Sequence, residues 1–369
     1  MNKTLTLTIL GLVLLSLIIG CAPKAAPVGA TPKPAAPTAS PQDANWAKIV
    51  EAGKKEGKVT LYTFLFGARA QPATKGFEQK YPEIKLEFVP LASAVRLERL
   101  KTEHRMGNFI ADTSDGSAAF QMNLKKEGLL QAIGDLPSVS EPAWSVTPKV
   151  DPETYLISLL PNYFTFWVNT GLVKSGEEPK KLKDLLDPKW KGQIIQIEPA
   201  TSSNPAWMYT GYYRYKKADD DYFRKLGTQF KYVTGSTLDA GRSLARGEAA
   251  LAWGDTITTS SLVKDGAPMK PLVLEEGALM TPGTSLSIVK NAPHPNAARV
   301  FYNWLLSKEG QMAMAENQAV KSARQDVPDM FPPSIRVDWK KPIVFTLDDV
   351  VFAEEVFSSR KLVDMWGRK

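Results

Sequence analysis

From Asn45 onward, apolar positions alternate between a spacing of two and a spacing near 3.6, the marks of strands and amphipathic helices. Trp46, Ile49, Val50 and Gly53 mark a first helix, and the run from Lys58 to Phe64 a strand. A helix is predicted from about Gln71 to Tyr81, a strand through Ile84, Leu86 and Phe88, and a helix from Ala92 to Met106 with Val95, Leu97 and Leu100 apolar. A short strand at Phe109–Ala111 and a helix at Ser117–Glu127 complete the set. This βαβα order predicts an α/β fold with a largely parallel sheet. Two apolar runs, Tyr155–Leu160 and Tyr163–Val168, flank Pro161-Asn162 and read as strands that join two lobes. A second α/β set follows, with strands at Gln193–Ile197, Lys231–Val233, Ala249–Trp253 and Met269–Leu274. Its helices are expected at Ala206–Lys217, Asp220–Phe230, Thr237–Arg246 and Thr256–Lys264. Thr284–Val289 reads as a strand returning to the first lobe, followed by helices at Pro295–Leu306, Lys308–Glu316 and Leu347–Ser359. No internal repeat is visible.

The chain has 369 residues, enough for about two domains, with 43 % apolar and 23 % charged residues. Bulk disorder, a collagen-like fibre and a multi-span membrane protein are excluded. The net charge of +7 is spread along the chain, with no basic block interleaved with aromatics, so nucleic acid is not an expected partner.

The N-terminus carries a different signal. An apolar run from Ile9 to Ile19 follows Lys3 and leads into Ile18-Ile19-Gly20-Cys21. It is too short to span a membrane permanently and has the layout of a signal peptide over residues 1–20. Cys21 is the only cysteine, which rules out a disulfide scaffold and any multi-Cys zinc site. The ending resembles a bacterial lipobox, in which the Cys is acylated, with palmitate among its acyl groups, and becomes the mature N-terminus. Ala22 to Asp43 holds six Pro and seven Ala and almost no large apolar residue. Residues 21–43 therefore read as a lipidated Cys and a semi-extended tether, reaching up to ~70 Å at the polyproline rise.

Enzyme signatures are mostly absent. Gly53-Lys54-Lys55-Glu56-Gly57-Lys58 has too few residues between its glycines for a phosphate loop and precedes a strand instead of following one. There is no G-x-S-x-G, and the two histidines, His104 and His294, are remote from each other. Four strand-to-helix turns carry the candidate chemistry, because the carboxyl ends of parallel strands form the ligand crevice of open α/β sheets. They are Phe66-Gly67-Ala68-Arg69, Asp115-Gly116-Ser117, Thr201-Ser202-Ser203-Asn204-Pro205 and Trp253-Gly254-Asp255-Thr256. The last three offer free N–H groups and a cap residue, and at the first Arg69 adds a fixed positive charge suited to an anion. The bland alternative is that those three are helix caps and nothing more, and that Arg69 is a surface ion-pair partner. Tyr209, Tyr212 and Tyr213 share a helix face and invite a ferric-iron reading, against a half-buried helix as the plain one.

With these elements in view, the chain resembles the bacterial extracellular solute-binding proteins of ABC importers, in the branch that includes the ferric-iron-binding proteins. The resemblance covers nearly all of residues 45–356. It rests on Val168-Asn169-Thr170-Gly171-Leu172-Val173, Leu182-Lys183-Asp184-Leu185-Leu186-Asp187-Pro188-Lys189-Trp190-Lys191-Gly192, Ala245-Arg246-Gly247-Glu248-Ala249, Asn291-Ala292-Pro293-His294-Pro295 and Phe345-Thr346-Leu347-Asp348-Asp349-Val350. It implies a two-lobed periplasmic-binding-protein fold of type II, with two crossing hinge strands and the solute held between the lobes. Lobe 1 is expected at residues 44–163 and 288–369 and lobe 2 at residues 164–287.

The implied protein is a monomeric lipoprotein, exported and anchored to the cell membrane. It performs no catalysis, has no cofactor, and delivers a small polar solute, anionic by slight preference, to an ABC permease. The expected ligand-binding residues are Phe66, Gly67, Arg69, Gly116 and Ser117 from lobe 1, and Thr201, Ser202, Ser203, Trp253 and Asp255 from lobe 2. In this scheme Trp253 is a flat wall and Asp255 a partner for an amine. Iron-binding members carry an adjacent Tyr pair where this chain has Trp253-Gly254-Asp255-Thr256, which leaves iron, through Tyr209, Tyr212 and Tyr213, as the alternative. A secreted α/β hydrolase is the remaining alternative from another class.

Overall fold

A computed structural model of the chain describes residues 41–63, 71–145, 151, 153, 155–233, 236–339 and 341–368. The first half runs α1 (Pro41–Glu56), β1 (Lys58–Thr63), α2 (Lys75–Lys80), β2 (Lys85–Pro90), α3 (Ser93–Met106), β3 (Thr113–Ser117), α4 (Ala118–Lys126) and β4 (Leu130–Gln131). Then come β5 (Ile157–Asn169), β6 (Ile194–Ile197), α5 (Asn204–Arg214), α6 (Asp220–Gly227), β7 (Phe230–Val233), α7 (Thr237–Ala245), β8 (Leu251–Asp255), α8 (Thr256–Lys264) and β9 (Met269–Pro271). The chain closes with β10 (Leu279–Val289), α9 (Pro295–Leu306), α10 (Lys308–Gln318), β11 (Ile343–Val344), α11 (Leu347–Ser358) and α12 (Lys361–Met365).

The principal strand order is β2-β1-β3-β10-β5-β8-β6-β7. It consists of two parallel triplets, β2-β1-β3 and β8-β6-β7, joined by the antiparallel pair β10 and β5. These are the expected two lobes and two crossing strands. Strand β5 is one continuous element of 13 residues. Its first part pairs with β10, and Phe164 to Val168 pair with β8. Pro161 breaks the apolar pattern of the sequence without ending the strand. Its missing N–H falls opposite a bulge in β10, where the register shifts between Thr281 and Thr284. Gly283 sits in that bulge at φ +64°, and a Cβ there would lie 2.0 Å from the carbonyl oxygen of Leu160. Only glycine fits so close an approach in the left-handed region.

The third strand differs from expectation. Phe109–Ala111 forms no strand, and the polar segment Thr113–Ser117 takes its place between β1 and β10. Apolar periodicity cannot mark it, because its buried side chains, Thr113, Ser114 and Asp115, are polar. Gln121 Nε2 reaches Ser114 Oγ at 3.4 Å, Ser287 Oγ donates to Gln121 Oε1 at 2.7 Å, and Tyr302 OH donates to the Ser287 carbonyl at 2.9 Å.

Around this sheet, Phe77 packs edge-on against Phe301 and Trp304, with ring centroids 5.0 and 5.8 Å away. Helix α1 lies so close to α9 that a Cβ on Gly53 would stand 3.0 Å from Ala297 Cα. On the other side Phe166, Trp253, Tyr212, Phe223 and Leu226 form a fully buried cluster. The C-terminal helices pack here also: α11 lies on α5 and touches α4, and α12 meets α6. Arg368 closes the arrangement with hydrogen bonds to both Glu198 carboxylate oxygens at 2.6 to 3.2 Å. Residues 347–368 thus rest largely on elements of the expected second lobe, although they follow the return strand.

Candidate ligand-binding cleft

Strand register decides where the carboxyl ends of the two triplets meet. Ser117, at the end of β3, is level with Thr284 and through it with Leu160. Asp255, at the end of β8, is level with Phe164. The two ends therefore approach the same stretch of β5 from opposite sides, four positions apart along it. At the strand rise this is ~13 Å, which brackets a small solute. Helices leave from each end, α4 after β3 and α8 after β8, while α5 and α7 follow β6 and β7.

At the first-lobe turn, Ser117 caps α4 by accepting from Phe120 N at 3.2 Å. The amides of Ala118 and Ala119 precede the first intrahelical bond and point out of the turn. Gly116 has φ +152° and leaves that approach without a side chain. Phe66, Gly67 and Arg69, and the lipidation candidate Cys21, lie outside the described residues.

The second-lobe turns divide into two kinds. The start of α5 lacks a side-chain cap: Ser203 makes no capping bond, and Ser202 Oγ accepts from Asn204 N at 3.2 Å. Thr201 Oγ1 turns back to the Glu198 carbonyl at 3.2 Å. Asn204 is buried and donates to Thr237 Oγ1 at 3.1 Å at the start of α7, while its Oδ1 has no partner among the described residues. By contrast, the start of α8 is fully used by the protein. Asp255 Oδ1 accepts from Thr258 N at 2.9 Å, and Asn162 Oδ1 accepts from Ile257 N at 3.2 Å and from Thr256 Oγ1 at 3.1 Å. Burial raises the Asp255 pKa, against the Thr258 amide that lowers it. Asp255 thus acts as a helix cap tied to the crossing strand, the plain reading of that turn and not the amine partner expected.

Trp253 also departs from expectation. It is 0 % exposed, with Phe164 stacked at 6.1 Å and Phe166 and Tyr212 edge-on at 5.0 and 6.2 Å. It is a core residue here, not a wall of the cleft.

Nor do the tyrosines form a metal site. Tyr212 OH donates to the Gly277 carbonyl at 3.2 Å, and Tyr209 OH is engaged by Asp220 and Lys361. Burial, chiefly, raises both phenols far above the ordinary value, which disfavours the phenolate a ferric ion requires. Tyr213 stacks on Tyr209 with centroids 4.8 Å apart and is half-exposed on the outer side of α5. Among the described residues no group of three or more His, Cys, Asp and Glu gathers to hold a metal, and no helix is long and apolar enough to cross a membrane.

One polar residue at the cleft escaped the sequence reading. Arg96 of α3 is 0 % exposed and reaches the end of β3 from below. Its Nη1 donates to the Tyr62 carbonyl at 3.0 Å and lies 3.4 Å from Asp115 Oδ1. Burial lowers its pKa, and Asp115 acts in the opposite direction. The available signal was its position four residues before Leu100, on the core-facing stripe, whereas the apolar Val95 is exposed.

The arrangement is that of known binding proteins. AfuA from Actinobacillus pleuropneumoniae, a periplasmic binding protein with fructose-6-phosphate bound, superposes with a TM-score of 0.64. The match is 25 % identical and covers 84 % of this chain and 99 % of that one. Iron-bound HitA from Pseudomonas aeruginosa shares the fold, with a TM-score of 0.67 at 20 % identity over 83 % of this chain and 99 % of that one. A Salmonella typhi protein provisionally named for binding 2-aminoethylphosphonate in the periplasm is 26 % identical over 253 residues, 66 % of this chain and 71 % of that one. The sequence profile described as "Bacterial extracellular solute-binding protein" matches residues 66–312. The chain therefore belongs to the bacterial extracellular solute-binding proteins, an exported family whose members hold a solute and do not convert it.

Proposed function

We propose that this protein is the lipid-anchored solute receptor of an ABC importer and captures a small anionic solute of the phosphate or phosphonate class. The observation that carries the reading is the meeting of both triplet ends on the crossing strands, with the first amides of α4 preceding its first intrahelical bond at the first-lobe end. Helix N-termini favour anions through free N–H groups and the helix dipole. The names of the relatives point the same way, since one is named for a phosphonate and another holds a sugar phosphate.

In this reading Gly116, Ser117, Thr201, Ser202 and Ser203 contact the solute, with Phe66, Gly67 and Arg69 completing the first-lobe side. Residues 1–20 form the signal peptide. Acylated Cys21 and the tether, which ends where α1 begins at Pro41 and not at residue 43, hold a monomer near the membrane, where it meets its permease. The lobes close on the solute by bending at the crossing strands.

Calorimetry tests the solute class with 2-aminoethylphosphonate, inorganic phosphate, fructose-6-phosphate, acetate and glucose. Binding of a phosphorus oxyanion, released unchanged, is expected. Failure of every anion to bind, or recovery of a converted solute, overturns the reading. A palmitate analogue should label the wild-type protein, and Cys21→Ser should lose the label. A label that survives Cys21→Ser refutes the anchor.

A further inference from the structure

We infer that Arg96 is the residue that grips the solute's oxyanion, through the Nε–Nη2 edge of its guanidinium. This rests on the anionic reading above and names the charge that carries it. Nη1 is occupied by the Tyr62 carbonyl at 3.0 Å and stands 3.4 Å from Asp115 Oδ1. Nε and Nη2 have no partner among the described residues, although the side chain is 0 % exposed. Buried guanidinium N–H groups without acceptors are costly and uncommon in folded proteins. Nε and Nη2 also form one side of the planar fork, with two donors spaced to meet two oxygens of a phosphate, phosphonate or carboxylate.

The surroundings fix that edge in place. The Phe120 ring lies on the guanidinium face, 4.4 Å from Cζ to centroid, and Nη1 anchors the opposite end. The edge borders the turn from which α4 departs. A Cβ on Gly116 would come 3.1 Å from Arg96 Nη2 and 3.1 Å from Phe120 Cδ1, so the absence of a side chain lets the guanidinium and the ring pack this close to the turn. An oxyanion at this point meets the guanidinium fork and the first amides of α4 together. Neither is a site alone: the helix start supplies direction and partial charge, and Arg96 supplies a full charge and bidentate geometry.

The experiment compares wild type with Arg96→Lys and Arg96→Met by calorimetry against inorganic phosphate and methylphosphonate, with melting temperatures measured alongside. Lysine keeps a charge but loses the fork, so an affinity loss of about tenfold or more is expected for Arg96→Lys and no measurable binding for Arg96→Met. Variants that fold and bind both anions within about twofold of wild type overturn the proposal and leave the anionic reading standing. A wild type that binds neither anion defeats the anionic reading itself, and Arg96's role with it. If neither variant folds, ¹⁵N-arginine-labelled wild type is titrated with phosphate. A shift of the buried Nε–H resonance supports the assignment, and a resonance unmoved at saturating anion refutes it.

Discussion

Gly283→Ala is the sharpest single test of how the two crossing strands are built. The residue occupies the bulge of β10 at φ +64°, opposite Leu160 and Asn162 of β5. Holding a non-glycine L-residue in the left-handed region costs about 1–2 kcal/mol. The added methyl would begin 2.0 Å from the Leu160 carbonyl oxygen and 3.3 Å from Asn162 N, so one strand must retreat by roughly an ångström. That retreat weakens the neighbouring ladder bonds, worth about 0.5–1.5 kcal/mol each. The expected loss is about 2–4 kcal/mol, a fall of roughly 3–6 °C in melting temperature for a chain of this size. Differential scanning calorimetry of the soluble domain measures it. The same strand shift alters the angle between the triplets, so solute affinity should fall with stability. A melting temperature within about 1 °C of wild type would show that the bulge imposes no such constraint, and the hinge argument fails.

Trp253→Ala should cost about 3–5 kcal/mol as a cavity in the second-lobe core, with solute affinity of the folded protein nearly unchanged. A large affinity loss at constant melting temperature would return Trp253 to the cleft wall. Ferric citrate should produce no visible charge-transfer band, because the phenols of Tyr209 and Tyr212 are held protonated. Such a band, lost on Tyr212→Phe, would reinstate iron. Burial alone raises the pKa of half-buried Glu354. The folded state therefore binds its proton more tightly than the unfolded state, and its contribution to stability is lost as pH rises through the folded value. Glu354→Gln should stabilise the protein at pH 7 and make little difference at pH 3. A gain of equal size at both pH values would refute the burial argument.

Much of this architecture was legible in the order of residues. The alternation of periods separated strands from helices, and two apolar runs around Pro161-Asn162 announced the crossing. Ser117, Asp255 and the Asn204-Pro205 pair marked helix starts through cap chemistry that is local to a few residues. The same letters did not reveal which helix starts remain open to a solute. Asp255 and Ser117 are both caps, yet Asn162 arrives from another strand and consumes the amides at only one of the two turns.

The sequence by itself determined the α/β class, the two-lobed plan and the places where helices begin, because these depend on periodicity and short-range hydrogen bonding. Only the tertiary structure decided that Thr113–Ser117 is a central strand, that Trp253 is core, and that Arg96 lies buried beneath the Gly116 turn. The physical reason is common to all three. Burial of a polar strand, an indole or a guanidinium depends on partners far away in the chain, and no local pattern records which of those partners arrive.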